Sequence, residues 1–364
     1  MNPPKVYHII GTMSGSSLDG LDMVYCEMHS GSAFSFKILA SSTAPYNKEV
    51  QKYLTNMEVS ILKDYTNEHI YFDTISAEMI KTFVEDNEIT KLDLIASHGH
   101  TIFHFPEKNI TLQLGNGKKI AEVMLSPVIC NFRQADVDAG GQGAPLVPIA
   151  DALFFPDYTA CLNIGGIANI SFLENGKRIG FDICAANQLL NFCANQIGLE
   201  YDDGGAMART GKINKNLLNE LNVFDFFNLP YPRSMDNNFI RDHFIPLLSD
   251  AKISTADKLA TTMEHIAYQI SRIINRQIEN RNIPKNMYSI LVTGGGAYNS
   301  FLVRRIEQLC GIKITLPDNT LIQFKEAIAM CLMGMLRLEN KPNFLPSVTG
   351  ARIAVSGGDI VNLN

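Results

Sequence analysis

One pattern starts twice in this chain, and it constrains the fold more than any other feature. Residues 5–10 form a short apolar run, residues 11–20 a turn rich in glycine and serine, and residues 21–28 a second strand-like run. About 150 residues later the arrangement returns: an apolar run at 159–164, a Gly165-Gly166 turn and a strand-like run at 167–172. Each opening leads into mixed helix and strand. Residues 35–42, 93–97 and 128–132 read as strands in the first half, residues 178–182 and 288–292 in the second. Helical stripes run over 67–84 and 257–278, the latter capped by Ser254 or Thr255. A further helix is expected near Ser300, and a last apolar one over 324–338, ended by Pro342 and Pro346. Two related α/β lobes are expected, 1–127 with 343–364 and 128–342, with the glycine turns facing a cleft between them that suits a nucleotide.

Composition narrows the function. The 364 residues leave room for two domains, and 46 % hydrophobic with 19 % charged residues suits a folded chain with a large core. A net charge of −6 offers no generic attraction to a nucleic-acid backbone. The apolar stretch at the N-terminus is too short for a secretory signal, and no apolar run has the length of a membrane span. Seven cysteines form no Cys-x-x-Cys pair and their number is odd. A cytoplasmic protein with reduced thiols and no structural zinc is expected.

The first turn, Gly11-Thr12-Met13-Ser14-Gly15-Ser16-Ser17-Leu18-Asp19-Gly20, holds three glycines, three serines and a threonine. Glycines admit a phosphate to the backbone, and N–H groups and hydroxyls surround its oxygens. Asp19 would add a carboxylate toward a Mg²⁺-bound water. A tight hairpin with solvated serines explains the same residues. The turn is neither a Walker loop, lacking Gly-Lys-Ser/Thr, nor a dinucleotide fingerprint, because a strand follows it. Asn163-Ile164-Gly165-Gly166 and Gly294-Gly295-Gly296-Ala297 are further turns, the latter between a strand and a helix whose N-terminus would face an anion. Asp182, after Gly180-Phe181 at the end of an expected strand, is placed as a reactive carboxylate or as the N-cap of a helix starting near Ala185. His98, His100 and His104 lack a companion cysteine, which favours structural or substrate-contacting histidines over metal ligands.

As an ordered set these stretches resemble the anhydro-N-acetylmuramic acid kinase family. The resemblance is carried by the 11–20 turn, Ser97-His98-Gly99, Asn131-Phe132-Arg133, Gly140-Gly141-Gln142-Gly143-Ala144-Pro145, and Asn163-Ile164-Gly165-Gly166. Phe181-Asp182, Gly294-Gly295-Gly296-Ala297-Tyr298-Asn299, Glu326-Ala327 and Thr349-Gly350-Ala351 complete it. It implies a two-lobed hexokinase/Hsp70/actin-like (ribonuclease H-like) fold, ATP with Mg²⁺, and a homodimer. The implied reaction opens a 1,6-anhydro sugar with water while O6 takes the γ-phosphoryl of ATP. On this resemblance Asp182 is the general base. Gly11, Thr12, Ser14, Gly15, Ser16, Ser17, Asp19 and Gly20 bind phosphates, with Asp19 also at the metal. Asn163, Gly165, Gly166, Gly294, Gly295, Gly296, Ala297 and Asn299 bind the nucleotide, and His98, Arg133 and Glu326 the sugar.

The chain also departs from the pattern. Ile183-Cys184-Ala185-Ala186-Asn187 replaces Thr-Gly-Pro-Gly-Asn, and Arg233-Ser234-Met235-Asp236-Asn237-Asn238 replaces Lys-Ser-Thr-Gly-Arg-Glu. His100 stands for Gln and Asp138 for Ala. These changes leave a sugar sensor without turnover, or a kinase for another sugar, as the alternatives.

Overall fold

A computed structural model describes residues 5–15, 17–57, 60 and 64–362; the N-terminal four residues, Ser16, 58–59, 61–63 and the last two lie outside the described residues. The chain divides into two compact units, Met1–Phe155 with Phe324–Asn364, and Pro156–Gln323. The divisions fall at 155/156 and 323/324 rather than at 127/128 and 342/343. Residues 128–155 and 324–342 therefore belong to the first unit, because the strand at 128–130 pairs within its sheet.

In the first unit, β1 (Lys5–Ser14), β2 (Gly20–Ser30) and β3 (Ser35–Pro45) form an antiparallel meander. β4 (Leu94–Phe105) lies parallel to β1, and β5 (Ile110–Leu114) returns antiparallel along its outer end. β6 (Val128–Cys130) runs parallel to β4. The second unit repeats this plan. β7 (Ala160–Ile164), β8 (Ile167–Glu174) and β9 (Lys177–Ala185) form the meander. β10 (Ile290–Thr293) is parallel to β7, and β11 (Ile314–Thr315) is parallel to β10. Finally β12 (Asp359–Val361) pairs antiparallel with β6, so the C-terminal segment completes the first sheet. Both sheets share one order: the meander's first strand is central, with two parallel strands on its far side. This is the ribonuclease H-like arrangement, and the chain carries it twice.

Parallel strands need long crossovers, and helices supply them. In the second unit the Thr255–Asn280 helix begins at Ser254, whose side chain accepts the Asp257 N–H at 3.1 Å. It buries Leu259, Met263, Ile266, Ile270 and Ile274 against Leu162, Ile170 and Val292 of the sheet. In the first unit the Thr66–Asp86 helix buries Phe72, Ala77, Ile80 and Phe83.

β1 runs on through Ser14 into the expected turn, and β4 and β9 also run further than their sequence suggests. β4 does not end with the strand expected over 93–97 but reaches Phe105. Gly99 adopts φ +76°, the register on β1 slips between Thr12 and Ser14, and β4 continues. Glycine absorbs the extra residue as a bulge. In the same way β9 does not stop at Asp182. Asn169 faces Asp182 and Ala168 faces Cys184, so Ile183 is the extra residue and the strand reaches Ala185.

Candidate functional site

Asp182 sits beside this second bulge. The Asn187–Asn195 helix that follows is capped by Ala186, so Asp182 is not a helix cap. Its backbone N–H donates to the Arg233 carbonyl at 3.1 Å, and Arg233 Nε donates back to the Asp182 carbonyl at 3.0 Å. Its carboxylate is held at one oxygen: Ser234 Oγ donates to Oδ2 at 3.0 Å and the Met235 N–H at 2.9 Å. No donor among the described residues reaches Oδ1. Burial raises the Asp182 pKa, opposed by the Met235 and Ser234 hydrogen bonds and the Arg233 charge. A carboxylate with a raised pKa, fixed orientation and one oxygen open is equipped to take a proton.

Arg233 is itself anchored. Its Nη1 donates to the carbonyls of Phe226, Phe227 and Leu229, and its guanidinium lies 5.1 Å from the ring centres of both Phe181 and Phe226. The stretch that departs from the family pattern therefore supplies every contact to the Asp182 side chain. Ser234, common to both patterns, is the legible part of it.

The other nucleotide candidates of the second unit lie at and just beyond the carboxyl ends of β7 and β10, which run parallel with Asn163 facing Thr293. The Gly165 carbonyl accepts the Asn187 N–H at 3.1 Å, and the Gly166 carbonyl accepts Ala186 at 2.8 Å and Gln188 at 3.3 Å. Gly294 has φ +83°, and a Cβ there would press on Asn163 Oδ1 and the Ile164 carbonyl. Gly296 and Ala297 are buried, and a Cβ on Gly296 would collide with Ile164. A Cβ on Gly295 would meet only Asn187 Nδ2, at 3.5 Å, an ordinary contact. The helix beyond does not begin at this turn. A 3₁₀ segment spans Gly295–Tyr298, and the Ser300–Cys310 helix starts after Asn299, whose Oδ1 accepts the Leu302 N–H at 3.0 Å. Asn299 is thus a helix cap, and the expected open helix N-terminus is filled.

In the first unit the glycine turn separates into packed and open residues. A Cβ on Gly11 would strike the Ala327 carbonyl and Cys331 Sγ, and one on Gly20 the Ala44 carbonyl. Thr12 Oγ1 donates to Ser97 Oγ at 3.2 Å. Ser14 Oγ accepts from the Tyr46 hydroxyl at 2.8 Å and lies 2.9 Å from His100 Nδ1. These hydroxyls are spent inside the sheet and shape the turn rather than reach beyond it. The open residues are at the tip: nothing crowds a Cβ on Gly15, and exposed Ser17 donates to Asp19 Oδ1 at 2.6 Å. Ser16 falls outside the described residues.

His98 is a structural partner of Arg133. Its Nδ1–H donates to the Gly99 carbonyl at 2.9 Å, and its Nε2 accepts from Arg133 Nε at 3.1 Å and Nη2 at 2.9 Å. Burial, then the Arg133 charge, lowers the His98 pKa to about 3, so the ring is neutral. With its ring nitrogen facing a guanidinium, His98 is no metal ligand. Arg133 also donates to the Gly143 carbonyl at 2.7 Å. Burial raises the Glu326 pKa while Arg133 and Lys325 offset it. Lys325 pairs with Asp151 at 2.6 Å, both nearly fully buried.

Three contributors have little signature in the sequence. Tyr46 locks Ser14 across 32 positions. Asp136 binds the Gly143 N–H and Thr349 Oγ1, both at 2.8 Å, tying the glycine-rich 139–148 loop to the C-terminal segment. Asp22 accepts from Thr43, and burial, then the Asp19 and Glu326 charges, lifts its pKa to about 6. Asp19, Asp22 and Glu326 thus share a negative field. Among the described residues no three side chains form a ready-made metal cluster, and Mg²⁺ in kinases needs only one or two carboxylates. All seven cysteines are buried and none is in a disulfide. No helix of the described residues is long and apolar enough to cross a membrane.

Comparison with known proteins matches residues 7–362 to the family described as anhydro-N-acetylmuramic acid kinase. The anhydro-N-acetylmuramic acid kinase of Haemophilus influenzae is 33 % identical, covering 98 % of each chain. That of Aliivibrio fischeri is 32 % identical over 98 % of this chain and 99 % of its own, and that of Microcystis aeruginosa 33 % over 97 % and 99 %. Among solved structures, component A of the (R)-2-hydroxyglutaryl-CoA dehydratase of Acidaminococcus fermentans aligns with a TM-score of 0.45 at 15 % identity, covering 90 % of this chain and 97 % of that one. Matched along almost its whole length, this chain belongs to the anhydro-N-acetylmuramic acid kinase family.

Proposed function

We propose that this chain is an ATP-dependent kinase of 1,6-anhydro-N-acetylmuramic acid, with Asp182 as the general base. The observation that carries this reading is the Asp182 carboxylate, gripped at Oδ2 by Ser234 and Met235 with Oδ1 left to accept a proton. Oδ1 takes a proton from water, and the water oxygen bonds to the anomeric carbon. The bond from that carbon to O6 breaks, and O6 bonds to the γ-phosphorus as ADP leaves. The product is N-acetylmuramate 6-phosphate, which fits a place in cell-wall recycling. Phosphoryl transfer depends chiefly on positioning and charge neutralisation. Gly15, Ser17 and Asp19 at the open tip are the phosphate contacts in this reading, and Gly165, Gly166, Gly294 and Gly295 face the nucleotide. The negative field around Asp22 fits a divalent cation, so Asp19, through water, would hold Mg²⁺, which neutralises phosphate charge when bound. Arg133 and Glu326 contact the sugar. Homodimeric assembly and a cytoplasmic location belong to the same reading.

ADP release, followed with 1,6-anhydro-N-acetylmuramic acid and with a panel of hexoses and amino sugars, tests this together with the product mass. The anhydro-sugar alone should drive turnover and gain one water and one phosphoryl group. ATP binding without ADP release would instead make the protein a sensor, and turnover on a free hexose would assign another substrate.

The grip on Oδ2 gives a second expectation. The Ser234 hydrogen bond lowers the Asp182 pKa, so Ser234→Ala raises it. Activity requires the ionised base and falls as pH drops through its pKa. The acid limb of the kcat/KM profile should therefore move to higher pH in Ser234→Ala. A limb that stays in place would detach Ser234 from the base.

A further inference from the structure

The outer side of the Thr255–Asn280 helix carries a groove of about 350 Å³ that the reaction above does not use. Tyr268, Arg272 and Arg276 line it at steps of four residues, which puts them on one helix face. Arg272 is fixed in place: Nη2 donates to the Phe227 carbonyl and to Asn228 Oδ1. Arg276 is exposed and makes no hydrogen bond or ion pair among the described residues. Across the groove, Asn275 Nδ2 donates to the Leu309 carbonyl at 3.3 Å, while its Oδ1 is buried without a partner. Glu279 is the one carboxylate in the lining, and it forms no ion pair with either arginine.

Arg272 and Arg276 also lie close enough to Arg233 for their charges to disfavour its protonated form. Three guanidinium groups thus share one neighbourhood in a chain whose net charge is −6. One anchored and one free guanidinium, a helical turn apart, match the forked recognition of a doubly charged phosphate oxygen set. Tyr268, 46 % exposed, adds a ring and a hydroxyl at the groove's end. We propose that this groove binds a phosphomonoester dianion between Arg272 and Arg276. The Phe227 carbonyl that Arg272 holds is also held by Arg233, whose Nε holds the Asp182 carbonyl. Occupancy of the groove therefore bears on an arginine that positions the strand of Asp182.

The chain contains no tryptophan, so Tyr268→Trp provides a single fluorescent reporter in the groove. Inorganic phosphate is titrated with neither ATP nor sugar present, against chloride at matched ionic strength, so a chain inactive as a kinase still answers. A saturable change with half-saturation on the order of 1 mM is expected for phosphate and none for chloride. Adding Arg276→Glu, an exposed position whose folding is checked by its melting curve, should weaken binding at least tenfold. Calorimetry of phosphate binding to the chain with Tyr268 intact, compared with Arg276→Glu in that background, should show the same loss. A hexose 6-phosphate and a nucleoside monophosphate, titrated likewise, distinguish a sugar from a nucleotide source by which binds tighter than phosphate. An equal response to chloride, no saturation, or an unchanged half-saturation in Arg276→Glu overturns the site.

Discussion

Asp182→Asn is expected to lower turnover by about 10²–10⁴-fold, some 3–5 kcal/mol of barrier, while ATP affinity stays within a few-fold. Asparagine keeps the shape and still accepts the Ser234 and Met235 hydrogen bonds at its oxygen, but it cannot take a proton. The surroundings make the test clean. Burial in β9 and the Arg233 anchor hold the backbone whichever side chain is present, so a loss of rate reads chemistry rather than collapse. The rate of ADP release and the melting temperature should be measured on the same preparation. A variant that keeps more than about a tenth of the wild-type rate, less than the smallest loss expected of a base, would move the base elsewhere.

The second large effect separates two glycines four positions apart, Gly11 inside β1 and Gly15 just beyond its end. Gly11→Ala places a methyl group against the Ala327 carbonyl and Cys331 Sγ, where the Asn319–Leu338 helix packs on β1. Overpacking of this kind costs about 1–3 kcal/mol, so the variant should melt at lower temperature. Gly15→Val meets no such obstacle, since the nearest atom to its Cβ is Ser17 Oγ at 3.5 Å. It should keep the fold and lose ATP affinity by at least tenfold, about 1.4 kcal/mol, because a branched side chain occupies the phosphate approach. Melting curves and calorimetry on both variants check this. Equal ATP affinity in Gly15→Val and wild type would remove the tip from the phosphate site.

The contrast between these glycines shows what was readable in advance. Turn composition marks both alike; only tertiary packing tells a glycine kept for helix contact from one kept for open space. The doubled sheet plan was visible because strand, turn and strand are local patterns, and the Ser254 cap because capping acts within three residues. The two bulges were not. Gly99 looks like a turn, and its bulge exists only because β1 and β5 hold β4 on either side. Ile183–Ala185 extends β9 because β8 pairs with it, and nothing in the residues after Asp182 announces that partner. The grip on Asp182 comes from residues more than fifty positions away, and such contacts leave no periodicity to read. Asp182 stands out in the sequence as a candidate; of the groups that hold its carboxylate, only Ser234 does.

The place of β12 has a consequence for how the chain is made. β6 presents Val128, Ile129 and Cys130, all buried once β12 pairs beside them. A ribosome delivers β6 first and β12 only after roughly 230 further residues, which at about 5–20 residues per second takes on the order of 10–50 seconds. During that interval the first sheet ends in an unpaired apolar edge, the kind of edge that recruits stray strands. The second unit, continuous from Pro156 to Gln323, has all its strands before the first unit has its last. Synthesis thus leaves the first unit's sheet waiting, and the nascent chain depends on what shields that edge until β12 emerges.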